Sequence, residues 1–361
     1  MKYIDEFRNK KLIGKILKKI EALSPKGAIN IMEVCGTHTQ NFRRFRLDKL
    51  LPKNLKFISG PGCPVCVSSQ GYIDQAIQLS RQKDTMILSF GDMLRVPGSK
   101  TTLEKERARS GNVHVVYSAL EGIKLAQQNP GKKIIFLAVG FETTAPTIAL
   151  SILAAKKQNL KNLFFLSSLK LIPPAMDYLV RDKRLRLSGF LCPGHVSAII
   201  GTKPYEFIPA KFGIGCCVAG FEPLDILEGI LVIIEQLIEQ RPRVDNQYRR
   251  VVTPNGNLKA QQVIAQVFRS NDAFWRGLGK IPKSGLKIKN TFSRFDAENV
   301  FGIKEAPGAR QPARCKCGDV LKGLISPLGC PLFSKRCNPD NPVGPCMVSS
   351  EGACNAYYKY K

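Results

Sequence analysis

Apolar residues near the start of the chain fall at helical spacing, with Leu12, Ile13, Ile16, Leu17 and Ile20 recurring among lysines and arginines. The pattern predicts an amphipathic helix within residues 1–24, packed on the body and ended by Pro25-Lys26-Gly27. Beyond it the pattern becomes short apolar runs: the start of Ala28–Gln40, then Leu55–Ile58, Thr85–Phe90, Val113–Tyr117, Lys133–Val139, Asn162–Ser168 and Leu187–Leu191. Most of these run into a polar or Gly/Pro-rich loop and then a helical pattern, the rhythm of parallel βα units. His114 sits inside one apolar run and is expected to be a core residue. A long helix is predicted over Pro223–Gln240, after which the sequence turns polar and irregular, with a helix near Leu258–Arg269.

The expected fold class is α/β. Two small parallel-sheet units are expected to face a cleft, with an irregular C-terminal module after them. Asn129-Pro130-Gly131 suggests the first boundary, giving units at residues 1–129, 130–240 and 241–361.

The candidate chemistry lies in the loops where strands give way to helices, the place where α/β sheets put their sites. Cys35-Gly36-Thr37-His38-Thr39 presents a thiol and an imidazole. Gly60-Pro61-Gly62-Cys63-Pro64-Val65-Cys66 presents two thiols at CxxC spacing, and Ser68 or Ser69 can cap a helix from Gln70. A CxxC alone suits a zinc half-site, a redox pair or a packing accident. Gly140–Thr144 looks like an anion-cradling turn but lacks a phosphate-loop pattern; Glu142 there can serve as acid, base or cap. Cys192-Pro193-Gly194-His195 again offers a thiol and an imidazole, whereas the adjacent Cys216 and Cys217 read as packing.

Composition sharpens this picture. Twelve cysteines without a secretory pattern point to metal or redox chemistry rather than a disulfide framework, and the chain is read as cytoplasmic. No apolar run approaches the roughly 18 residues of a membrane span. The net charge of +27 could steer acidic partners, but Lys and Arg are scattered without a basic block or aromatic platform. A solvated basic surface is therefore expected, with no nucleic acid or membrane as partner.

Six cysteines crowd the C-terminal region: Cys315, Cys317, Cys330, Cys337, Cys346 and Cys354. This Pro/Gly-rich segment cannot build its own apolar core, so a metal centre is expected to organise it. It holds no histidine, and all-thiolate ligation suits an iron–sulfur cluster or a four-thiolate zinc site. The absence of paired CxxC knuckles favours the cluster. Two thiols beyond four ligands suggest a neighbouring redox dithiol.

VCGTHT, GPGCPVC, GDM with RVPG, GFETTAPT, CPGHVS and the final GPCMVSSEGAC together resemble the HypD family of [NiFe]-hydrogenase maturation proteins, from about residue 28 to residue 358. The resemblance implies an assembly scaffold for the Fe(CN)2(CO) half of the hydrogenase site, redox-active rather than a conventional multiple-turnover enzyme. It implies a HypC-type chaperone whose N-terminal cysteine shares the iron, and a HypE-type donor delivering cyanide as a C-terminal thiocyanate. Carried over, Cys35 is the iron-binding thiolate with His38 beside it, and Cys63 and Cys66 are cleft thiols. A [4Fe–4S] cluster falls to Cys315, Cys330, Cys337 and Cys354, with Cys317 and Cys346 as the proximal dithiol. Glu142, Thr143 and His195 would line the cleft and move protons or hold cyanide. Two rivals remain: a stand-alone cluster-fed thiol–disulfide reductase and a zinc-dependent nucleic-acid binder.

Overall fold

The computed structural model describes residues 5–110, 112–303 and 314–360. The expected N-terminal helix forms over Lys10–Leu23, capped by the Asn9 side chain, while residues 1–4 lie outside the described part. Its apolar stripe packs on the long helix Pro223–Glu239.

Eleven strands are described: β1 Ile29–Glu33, β2 Leu55–Ser59, β3 Thr85–Ser89, β4 Val113–Val115, β5 Lys133–Gly140, β6 Leu163–Leu169, β7 Gly189–Pro193, β8 Gly215–Ala219, β9 Val244–Asn246, β10 Phe268–Trp275 and β11 Gly279–Ile288. The first nine form two parallel sheets, as the runs of buried apolar residues require. One is five-stranded in the order β2-β1-β7-β8-β9; the other is four-stranded in the order β4-β3-β5-β6.

This order corrects the expected division at residue 129. The first sheet takes two strands from before that point and three from the far end, and the second sheet is inserted between them. Periodicity identifies each strand but carries nothing about its partner. The junction is made by β7, which pairs with β1 in the register Ile31↔Gly189 through Glu33↔Leu191. Gly189 matters at that point, because a Cβ there would meet Ile233 of the long helix at 2.4 Å.

The two sheets share one continuous buried cluster. Met32, Phe190, Cys192 and Val218 from the first join Ile87, Ile135, Leu137 and Leu166 from the second, together with Cys63, Cys66 and five C-terminal cysteines. His114, expected in the core, is exposed on the edge strand β4. The polar stretch after Arg241 holds an antiparallel hairpin, β10–β11, that the sequence reading missed. It continues the second sheet: Leu171 N–H donates to Ser284 O at 2.9 Å, and the Ser167 hydroxyl donates to Leu286 O at 2.8 Å. Its turn reaches the CxxC loop, where Arg276 N–H donates to Val67 O at 2.9 Å.

Candidate thiol site

The first two βα loops are built against each other. Cys35 lies just past the end of β1, at the N-cap of the helix Gly36–Arg44; Cys63 caps the short helix Pro64–Val67 that follows β2. Gly36 N–H donates to Gly62 O at 2.9 Å. A Cβ on Gly62 would stand 2.2 Å from the Cys35 nitrogen, so only glycine lets these backbones meet. The turn also brings the CxxC sulfurs together, with Cys63 Sγ 2.7 Å from Cys66 Sγ.

The C-terminal cysteines fold onto the same place. Cys66 hydrogen-bonds with the thiol of Cys346, and Cys346 Sγ lies 3.0 Å from Cys317 Sγ. Cys346 also hydrogen-bonds with Cys354. All six C-terminal cysteines line one small cavity, closed by Phe333 and Met347. Among the described residues, no three His, Cys, Asp or Glu are grouped to hold a single metal ion. The thiols are ranged around a space instead. Six sulfurs with no carboxylate or imidazole in that lining form a soft donor set, and this fits a thiolate-held iron–sulfur group.

Electrostatics separate the thiols. Burial, then the Glu351 carboxylate, pushes Cys35 up to about 12. Burial also raises Cys66, but hydrogen bonds from Cys346 and Cys63 outweigh it and leave this thiol at about 6. Its partner Cys63 is held well above the ordinary thiol range by burial and by Cys66. Cys66 is therefore the thiolate of the pair near neutrality.

Two carboxylates that the sequence reading passed over stand beside these sulfurs. Glu33, within the apolar strand β1, is fully buried; it accepts the Cys35 amide at 2.8 Å and the Thr39 hydroxyl, and burial raises it to about 8. Glu351 accepts the Thr37 hydroxyl at 2.7 Å and is likewise raised by burial. An acidic residue interrupting a buried strand was the one available signal for Glu33.

His38 keeps its backbone beside Cys35, donating its amide to that thiol, while its ring turns to the loop after β8. There Nε2–H donates to Gly220 O at 2.8 Å, and Nδ1 is buried without a hydrogen-bond partner among the described residues. Burial lowers His38 to about 4, so the ring is neutral. His195 is exposed and stacks on Phe221, its ring centroid 3.9 Å away, with the His38 ring at 4.8 Å from the same phenyl. Glu142 is buried: Oε1 accepts Ile172 N–H at 2.9 Å, Oε2 has no partner among the described residues, and burial raises it to about 7. Thr143 is exposed. Among the described residues no hydrogen bond joins Glu142 to His195.

Two parallel sheets with buried thiols in their loops, followed by a cysteine-rich C-terminal module, define an α/β protein whose chemistry-bearing residues are mostly cysteines. The family model described as "Hydrogenase formation hypA family" and named HypD matches residues 11–361. The chain belongs to the HypD family. It is 44% identical over 369 residues to the hydrogenase maturation factor HypD2 of Bradyrhizobium diazoefficiens, covering 100% of this chain and 97% of the relative. It is 44% identical over 368 residues to the HypD of Azotobacter vinelandii, with the same coverage. With the HypD of Escherichia coli K12 it shares 42% identity over 368 residues, covering 100% of this chain and 98% of the relative. No described helix is long and apolar enough to cross a membrane.

Proposed function

We propose that this hydrogenase maturation factor is the scaffold on which the Fe(CN)2(CO) cargo is assembled, with a HypC-type chaperone sharing the iron and a HypE-type donor bringing cyanide. The observation that carries the reading is the unbroken succession of thiols Cys63, Cys66, Cys346 and Cys317 from the βα loops into the cysteine-rich module. Cys35 offers a soft ligand for the cargo iron at the mouth of that succession. Deprotonation of a thiol at about 12 needs a compensating cation, which an arriving iron supplies.

Cys315, Cys330, Cys337 and Cys354 would hold a [4Fe–4S] cluster. Such a group supplies single electrons when bound. The chain's own residues do the rest. Cys66, thiolate near neutral pH, would attack the carbon of a sulfur-bound cyanide and release the donor's thiolate; Cys63 would then attack the Cys66 sulfur, forming the Cys63–Cys66 disulfide as cyanide leaves with the electron pair of the broken S–C bond. The Cys317–Cys346 pair lies behind it as the dithiol that would reduce that disulfide. Glu142 and Glu33, both able to carry a proton near neutrality, are candidate proton holders on either side.

The deciding experiment is metal analysis and infrared spectroscopy of protein purified anaerobically with its small partner. About four to five irons per chain with cyanide and CO stretching bands are expected. Iron without such bands would favour a cluster-fed thiol–disulfide reductase, and zinc without iron would overturn both readings.

A further inference from the structure

Beyond the thiol ladder lies a second, small pocket, bounded by Gln70, Pro97, Val343, Cys315 and Cys317, with Arg276 in its wall. Arg276 is only 8% exposed. Burying a guanidinium costs several kcal/mol unless the charge is paired and its donors are met. Here the pairing is missing. The side chain makes one hydrogen bond among the described residues, from Nη2 to Pro97 O at 2.9 Å, and no carboxylate lies in ion-pair contact with it. The groups whose charge acts on it most are the Cys317 and Cys346 thiols; Asp74 follows, and it accepts from Ser99 with both oxygens.

The backbone holds the arginine in place rather than letting it escape to solvent. Its N–H is tied to Val67 O, and a Cβ on the next residue, Gly277, would stand 2.5 Å from Gly318 Cα. Guanidinium donors not used by protein acceptors thus border a small cavity beside two sulfurs.

We propose that this pocket is a binding site for a small monovalent anion, held by the Arg276 guanidinium. The cavity is too small for a nucleotide or cofactor and has one cation, so a single charge of a few atoms is its match. The site stands whether or not the cysteine module carries iron.

The test titrates thiocyanate into the full-length protein, purified anaerobically and of measured iron content, and follows the nitrile stretch by infrared. A saturable bound band is expected in the wild type. Loss of one charge-assisted contact in Arg276→Gln should weaken binding about tenfold or more, with Arg276→Lys retaining most of it. Gln70→Glu, on the half-buried opposite wall, brings a carboxylate to compete for Arg276 and should abolish binding even if Arg276→Gln fails to fold. No saturable band in the wild type overturns the proposal, as it would if Arg276 were only a counter-charge for the thiols. A band that persists in Arg276→Gln and Gln70→Glu is anion bound to iron, and overturns it equally.

Discussion

The Thr37 hydroxyl donates to the Glu351 carboxylate at 2.7 Å, joining the first βα loop to the last loop of the cysteine-rich module across 314 positions of sequence. Gly36 stands against the same residue, where a Cβ would meet Glu351 Cβ at 2.5 Å. The contact sets a negative charge against Cys35, Cys63 and Cys66 at once.

Glu351→Gln should therefore make every one of these thiols easier to ionise. The pH profile of Cys66 alkylation, read by mass spectrometry, is expected to rise through about 6 in the wild type and at lower pH in the variant. Cys35, at about 12, stays unmodified across the neutral range in both. A profile that moved upward would contradict the assignment of charge.

Gly62→Ala should cost about 2–3 kcal/mol in chemical denaturation, because the new methyl overlaps backbone that cannot swing away. Gly131 is the control: nothing lies within 4 Å of its Cβ position, and Gly131→Ala should change stability by no more than about 0.5 kcal/mol.

The buried carboxylates give stability a definite pH dependence. Glu142 binds its proton to about 7 when folded, against 4.5 when unfolded, so between those values the folded state holds more protons. Its contribution is complete below 4.5 and is lost as the pH rises through about 7, a change on the order of 3 kcal/mol. Glu33 acts in the same direction up to about 8. Denaturation midpoints should fall from pH 5 to 8, and Glu142→Gln, which keeps an acceptor for Ile172 N–H, should flatten part of that fall.

Cys35→Ala and Cys66→Ser should each abolish hydrogenase maturation in a complementation assay while leaving the iron content of the purified protein near that of the wild type. A fully active hydrogenase from a Cys35→Ala strain would falsify the scaffold reading.

Most of the elements were legible because a buried parallel strand writes itself as a short apolar run, and a loop bearing chemistry writes itself in Gly, Pro, Cys and His. Lys133–Val139, Thr85–Phe90 and Pro223–Gln240 each match an observed element to within a residue or two. The cysteine motifs, and through them the family, were equally plain. Pairing was not. That β1 lies beside β7 depends on residues 158 positions apart fitting together under one helix at Gly189, and no local pattern encodes that fit. The hairpin β10–β11 escaped because FRSNDAFW has polar residues at several consecutive positions and is held by its partner strand β11, which itself packs on β6, rather than by its own periodicity.

The sequence by itself determined which atoms are available: twelve thiols, three imidazoles, and the rigid loops that carry them. Tertiary structure alone decided which of them meet. It set Cys66 between Cys63 and Cys346, turned the His38 ring away toward Gly220, and brought Glu33, Glu351 and Arg276 to the sulfurs. The reason is burial. A group's ionisation and reach depend on the charges and donors packed around it, and those arrive from elements far apart in the chain.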